Sequence, residues 1–177
     1  LVDVFLLEIH PEDEMLYNVD GEWLSLERRE VYLEVKLFGF LRWKFEREAF
    51  HSIHGPVLKT DHGTYAVRYA GMGEIRQVEQ WMAMSKAQNL SQWREAMKLH
   101  RFASFNFVAA DSDGNIMFVH NSMTPVRAGG FDWSQYLPGN KREIIWDSYL
   151  PFDNLPQLFN PESGYILSAN QSPFRVT

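Results

Sequence analysis

The 177-residue sequence predicts an α+β fold in which strands and hairpins surround a single helical hairpin. Apolar and polar residues alternate through the first third, turn-forming dipeptides separate these runs, and the apolar spacing becomes helical near residue 75. The aromatic content of 15% fits a strand-rich chain, because aromatic side chains are enriched in strands. We expect one domain, with residues 1–72 mainly strands and hairpins, residues 73–101 the helical hairpin, and residues 102–177 strands with a long loop.

The first third contains two predicted hairpins. Asp20-Gly21, a dipeptide typical of tight hairpin turns, lies between apolar runs at residues 15–19 and 22–26. Apolar residues then alternate with polar ones over residues 31–37, and the alternation resumes over residues 41–45. Alternation of this kind is typical of strands with one buried face, so these two segments are predicted to form the second hairpin.

The middle of the chain is predicted to be helical. Apolar side chains recur at helical spacing over residues 75–82 and again over residues 93–100. Asn89 is a suitable N-cap for the second helix, and Gln92 completes a capping-box pattern. We therefore expect two antiparallel helices joined near residues 87–88.

The last third returns to strands and then becomes irregular. Two apolar runs, residues 104–109 and 116–120, flank the turn sequence Asp-Ser-Asp-Gly-Asn and predict another hairpin. Residues 123–160 are rich in proline and glycine and are predicted as a long loop, which in a compact domain is usually functional or covers a partner. Residues 165–169 are predicted as a final short strand.

Charge and composition argue against several classes of function. The net charge of −6 and the dispersed basic residues argue against nucleic acid as the main partner, and they disfavour a membrane-surface role for the same reason. The absence of cysteine excludes disulfides and thiolate metal sites. The sequence opens with Leu1 inside an apolar run, so we expect a fragment or a processed product.

The histidines are weak candidates for a metal site. His51 and His54 lie three residues apart, with His62 further on, but no carboxylate stands at motif spacing to complete a set of ligands. We therefore interpret them as structural or solvent-exposed.

Three other residues are candidates for a substrate site. Asn170 follows the final apolar run, a position from which a side-chain amide N–H can face a reacting centre. The alternative for Asn170 is a turn-forming residue ahead of Pro173. Trp81 and Phe105 are, from their spacing alone, most simply core residues.

Six short segments together resemble one family. They are Val2-Asp3-Val4-Phe5, His54-Gly55-Pro56-Val57, the hairpin Ala110 to Ile116, Leu150-Pro151-Phe152, Asn160-Pro161 with Ser163-Gly164-Tyr165-Ile166, and Ala169-Asn170 with Ser172-Pro173. In this order and spacing they are similar to the β-subunit of penicillin-acylase-family N-terminal nucleophile hydrolases, and the likeness runs over nearly the whole chain.

The resemblance implies a fold and a chemistry. The family has a four-layer αββα sandwich, and its nucleophile is the residue exposed at the N-terminus of the β-subunit after autoproteolysis. The free α-amino group acts as the base, and a backbone N–H together with an Asn side chain holds the oxyanion. By position within its motif, Asn170 matches that Asn.

The resemblance also implies a calcium site and an acyl pocket. Asp3 would provide a carboxylate ligand, and Val2 and Trp133 would provide backbone carbonyls. Calcium needs six to eight oxygens, so this chain is expected not to hold the ion tightly by itself. Phe105 and Trp81 match positions near the acyl pocket of the family.

These implications lead to two hypotheses. In the first, the chain is an internal piece of the β-subunit of a periplasmic amidohydrolase acting on β-lactam side chains or acyl-homoserine lactones, with its nucleophile upstream of Leu1. The rest of the β-subunit and the α-subunit would be its partners, and alone it would be inactive and prone to self-association through exposed apolar surface. In the second, the chain is a stand-alone β-rich ligand-binding module without catalysis.

Overall fold

The computed structural model describes residues 1–169 and 171–173. In chain order its elements are β1 (Val2–Leu7), β2 (Ile9–His10), β3 (Asp13–Val19), β4 (Glu22–Ser25), β5 (Glu27–Leu37), β6 (Leu41–Ser52), β7 (Gly55–Thr60), β8 (Gly63–Tyr69), α1 (Gln77–Lys86), α2 (Leu90–Met97), β9 (Ser104–Ala110), β10 (Ile116–Ser122), β11 (Leu137–Pro138) and β12 (Gln157–Phe159). Short 3₁₀ turns occur at Arg142–Ile144 and Phe152–Asn154. The fold is strand-rich with two helices, which confirms the predicted α+β class.

The chain divides into two compact units. Residues 2–69 and 127–146 form the first, here called the sheet unit. The helix unit comprises, among the described residues, residue 1, residues 70–126 and residues 147–169 and 171–173. Each unit has its own apolar core.

The sheet unit contains a six-stranded sheet in the order β11-β1-β8-β7-β6-β5 and a three-stranded sheet in the order β2-β3-β4. Strand β1 alternates as expected for one buried face, because Phe5 and Leu7 are buried whereas Leu6 is exposed. The hairpin predicted around Asp20-Gly21 is present, and both residues have the positive φ angles that a tight turn requires. The core residues of this unit are Phe5, Leu7, Tyr17, Val19, Leu26, Ala66, Leu137 and Ile144.

Strands β5 and β6 form the second predicted hairpin, and it extends beyond the sheet. They pair from Glu27 opposite His51 to Leu37 opposite Leu41. Strand β6 pairs with β7 only over Phe50 to Ser52. Within the described residues, 29–49 therefore form a two-stranded segment, here called the ribbon, whose strands pair only with each other.

The helix unit packs α1 and α2 on a three-stranded sheet in the order β12-β10-β9. Helix α2 begins as predicted, because the Asn89 side chain accepts a hydrogen bond of 2.9 Å from the Gln92 N–H. The predicted turn between β9 and β10 is held by Asp111, whose carboxylate accepts hydrogen bonds from Asn115 and from the Leu90 N–H at the start of α2. The buried core residues of this unit are Met84, Leu90, Ala96, Met97, Phe102, Met117, Val119, Phe152 and Leu155.

The last third of the chain differs in part from the sequence-based expectations. The strand predicted over residues 165–169 is wrong, because these residues form no strand and Tyr165 and Leu167 lie exposed. The long loop is largely irregular, as predicted, but it also contains β11 and β12, each of which is a short edge strand of a sheet. Across residues 1–169 and 171–173, no helix combines the length and apolarity that crossing a membrane requires.

Candidate functional site

The two predicted pocket residues belong to one aromatic cluster in the helix unit. Trp81 on α1 and Phe105 on β9 both contact Phe102, with ring centroids 5.2 and 5.3 Å away. Phe107 lies 5.8 Å from both Trp81 and Phe105. The structure thus brings Trp81 and Phe105 together through the rings of Phe102 and Phe107. These four residues are here called the aromatic wall.

The aromatic wall is buried at its base and exposed at its rim. Phe102 is 1% exposed, whereas Trp81 is 48% exposed and Phe105 is 50% exposed. Residues that only fill a core are normally far more buried than this. Edge-to-face contacts with the buried base hold the two rim rings in place, so they present a rigid apolar surface.

A depression of about 570 Å³ lies beside Phe105, lined by Ser104, Phe105, Asn106, Val108, His120 and Ser168. Asn106 and His120 stand directly opposite each other on β9 and β10. Their side chains form a hydrogen bond of 2.7 Å between His120 Nδ1 and Asn106 Oδ1. Because an amide oxygen only accepts, Nδ1 donates, and Nε2 is left as the acceptor of a neutral ring.

Burial lowers the pKa of His120 below its usual range, which keeps this imidazole neutral near neutral pH. Sequence reasoning missed the pair. The signal that reveals it is the register of the predicted β9–β10 hairpin, which places residues 106 and 120 side by side on one face.

Asn170, the predicted oxyanion residue, lies outside the described residues. Two of its sequence neighbours are described. Ser168 lines the depression beside Phe105, and Gln171 donates from Nε2 to the Leu167 carbonyl at 2.7 Å.

The predicted calcium ligands also converge, in the sheet unit. Val2, Asp3 and Trp133 line one depression of about 440 Å³. Asp3 is buried, and its carboxylate accepts two hydrogen bonds from the Arg127 guanidinium at 3.0 and 2.9 Å. It accepts a third from the Trp146 indole N–H at 2.7 Å.

This arrangement does not fit a calcium ion. Both Asp3 oxygens are engaged by donors, and the positive charge of Arg127 lies where it would repel a second cation. No cluster of three or more acidic, histidine or cysteine side chains suited to a metal occurs in the described part of the chain. As the residues stand, Asp3 is the buried half of an ion pair with Arg127.

The three histidines considered as metal ligands differ in their burial. His54 is 0% exposed, with its ring centroid 4.8 Å from that of Phe5, whereas His51 and His62 are exposed. Neither ring nitrogen of His54 has a hydrogen-bond partner among the described residues. Burial, reinforced by the positive charges of Arg68 and Arg142, lowers the pKa of His54 to about 4.

Comparison with known proteins agrees with the resemblance. The family model described as penicillin amidase matches residues 1–177. Penicillin G acylase of Escherichia coli is 33% identical over 180 residues, which cover 97% of this chain and 20% of that protein. The acyl-homoserine lactone acylase PvdQ of Pseudomonas syringae pv. syringae is 27% identical over 127 residues, covering 67% of this chain and 16% of that protein.

A solved structure gives the same result for the fold. The thermostable penicillin G acylase from Alcaligenes faecalis superposes with a TM-score of 0.83 at 25% identity, over 97% of this chain and 31% of that one. The chain therefore spans between a sixth and a third of the length of these three relatives. With a family model matched along its whole length, the chain belongs to the penicillin amidase family.

Proposed function

We propose that this chain is part of an amidohydrolase that cleaves the amide bond of N-acyl substrates and that it supplies the acyl-binding wall and one oxyanion donor. The observation that carries the proposal is the aromatic wall, whose half-exposed rim residue Phe105 also lines the depression that contains Ser168. A rigid apolar surface beside a few polar groups is the usual form of a small-molecule site.

In the proposed reaction, the nucleophile belongs to a part of the full-length protein other than residues 1–177. Its hydroxyl or thiol attacks the amide carbonyl carbon and passes its proton to the free α-amino group of the same residue. The tetrahedral oxyanion is held by a backbone N–H and the side-chain amide of Asn170. Collapse expels the amine with that proton, and water then hydrolyses the acyl-enzyme to release the carboxylic acid.

The wall would bind the acyl portion of the substrate. Trp81 and Phe105 offer flat apolar faces, which suit a phenyl ring or an alkyl chain better than a polar group. This fits the acyl groups of both substrate classes suggested by the relatives, the side chain of a β-lactam and the fatty chain of an acyl-homoserine lactone.

Calcium and the cellular location are further proposals for the full-length protein. A calcium site near Asp3 would need ligands from other segments, and it would need Arg127 to leave the carboxylate it now pairs with. Export to the periplasm is proposed from the resemblance, and fractionation of the producing cells measures it.

Activity assays of the full-length protein and of the isolated chain test the proposal. With chromogenic phenylacetyl and long-chain acyl amides, we expect saturable hydrolysis by the full-length protein and none by the isolated chain. The preferred acyl group then chooses between the two substrate classes. Tight ligand binding by the isolated chain, with no hydrolysis by the full-length protein, would instead support a binding module and contradict the proposal.

A further inference from the structure

Gln80 is a fully buried amide on α1, directly before Trp81 of the aromatic wall. Asn121 on β10 and Met97 at the end of α2 are equally buried. An amide removed from water is costly unless its donor and acceptor groups find partners. The hydrogen bonds of Gln80 therefore indicate what its side chain does in the fold.

Both ends of the Gln80 amide are hydrogen-bonded. Its Oε1 accepts from the backbone N–H of Arg101 at 2.6 Å. Its Nε2 donates to Asn121 Oδ1 at 3.3 Å and to the Met97 carbonyl oxygen at 3.4 Å. The side chain of Asn121 donates from Nδ2 to the same Met97 carbonyl at 2.8 Å. These contacts form one buried network, here called the amide network, which joins α1 to the end of α2 and to β10.

The hydrogen bond between Gln80 and Arg101 links the residues that precede two rings of the wall. Gln80 precedes Trp81, and Arg101 precedes Phe102. The two rings meet edge to face at 80°, with centroids 5.2 Å apart. A slide or rotation of α1 that carried Trp81 away from Phe102 would also pull Gln80 away from Arg101. The Arg101 side chain is held in turn, because it donates to Glu74 at 2.9 Å.

Apolar packing alone gives α1 little orientation. Gln80 and Met84, one turn apart, are the two buried residues of this fully described helix, whereas Val78 and Met82 are exposed. Apolar burial has no directional preference, but a hydrogen bond weakens steeply as its distance and angle change. The amide network is therefore the directional contact that fixes α1, and Trp81 with it, over Phe102.

We infer that Gln80 is a positioning residue for the acyl site. Its buried amide holds Trp81 in the aromatic wall and thereby sets the preference of the full-length protein for large apolar acyl groups. Gln80 has no contact with substrate in this scheme and acts through Trp81. The inference rests on the proposed function, because it assigns the wall to the acyl portion of the substrate.

The acyl selectivity of the full-length protein tests the inference. The measured quantity is kcat/KM for a phenylacetyl or long-chain acyl amide, divided by kcat/KM for the acetyl amide of the same amine. A smaller folded fraction lowers both values equally and leaves this ratio unchanged, so a merely structural role of Gln80 does not alter it.

Gln80→Met removes the amide and keeps a side chain of similar length. It should lower the ratio about tenfold, through a higher KM for the large acyl amide, because Trp81 is no longer held in place. Gln77→Met is the matched control, with the same change at a partly buried position in the first turn of α1, and it should leave the ratio unchanged. Asn121→Ala removes a partner of Gln80 from β10 and should lower the ratio in the same direction, which provides a second variant if Gln80→Met does not fold.

Fluorine NMR reports the position of Trp81 without substrate. In the full-length protein labelled with fluorotryptophan, the resonance of Trp81 is the one that disappears in Trp81→Phe. Gln80→Met should shift or broaden this resonance, whereas Gln77→Met should leave it in place. A resonance that Gln80→Met leaves unchanged overturns the inference.

The kinetics also separate failure of the inference from failure of the proposed function. An unchanged ratio in Gln80→Met, together with a lowered ratio in Trp81→Ala, overturns the inference alone, because the wall then selects the acyl group without Gln80. An unchanged ratio in both variants, or no hydrolysis by the full-length protein, contradicts the proposed acyl site and the inference with it.

Discussion

His54 is expected to make the sheet unit sensitive to acid. Its ring is fully buried against Phe5, with Tyr17 on another side, and neither ring nitrogen has a hydrogen-bond partner among the described residues. The charged groups that act on it are Arg68 and Arg142, and both oppose a positive ring. Protonation therefore places a cation in an apolar site that offers it no acceptor.

The size of the effect follows from the pKa. In the unfolded chain the pKa of His54 is the ordinary 6.5, and in the fold it is lowered to about 4. The unfolded state thus binds the proton more tightly, so the stability is complete above pH 6.5 and falls as the pH drops towards 4. At about 1.4 kcal/mol per pKa unit, the total loss is roughly 3 kcal/mol.

Denaturant unfolding of the chain at a series of pH values between 7 and about 4 measures this loss. The variant His54→Phe keeps an aromatic ring without a titrating group, so its free energy of unfolding should fall less over this range than that of the wild type. Subtracting the pH dependence of His54→Phe from that of the wild type removes the contribution of His120, because His120 is present in both proteins. His51→Phe, at an exposed histidine, is the control and should follow the wild type. Parallel curves for wild type and His54→Phe would show that protonation of His54 does not cause the loss of stability.

Three further expectations concern the wall and the carboxylates of Glu74 and Asp3. In the full-length protein, Trp81→Ala and Phe105→Ala should each raise KM for apolar acyl amides about tenfold, because each removes an apolar face from the wall. The control Phe159→Ala, at another half-exposed ring, should leave KM unchanged. Glu74→Gln should lower the free energy of unfolding by about 2 kcal/mol in a denaturant titration at pH 7, because it weakens the hydrogen bonds from two arginines that hold the pKa of Glu74 at about 2. An unchanged denaturation midpoint would contradict this expectation. Asp3→Asn should cost about 3 kcal/mol in the same titration, because it leaves a guanidinium without its buried partner, and a cost below about 1 kcal/mol would show that the ion pair is not important.

Local patterns in the sequence were sufficient for most of the secondary structure. The hairpin at Asp20-Gly21 and the cap formed by Asn89 and Gln92 follow from short-range chemistry, so the sequence predicted both. The strand predicted over residues 165–169 failed because an apolar run becomes a strand only where another strand pairs with it. Pairing of that kind is a long-range property, and apolar spacing does not report it.

The site was predictable only in part, for the same reason. Family resemblance indicated Trp81 and Phe105, but their link through Phe102 depends on how α1 packs against β9. Likewise, the resemblance indicated Asp3 as a calcium ligand, but its observed partner Arg127 is 124 residues away in the sequence. Contacts over such distances are set by the tertiary fold and leave no periodic signal in the sequence.

Kinetics of the full-length Asn170→Ala variant are the sharpest test of the proposal that this chain contributes an oxyanion donor to an acyl-transfer site. Loss of a donor that acts mainly in the transition state should lower kcat about a hundredfold or more while KM for a phenylacetyl amide changes little. A kcat within about threefold of the wild type, in a variant that is still processed and folded, would contradict the claim.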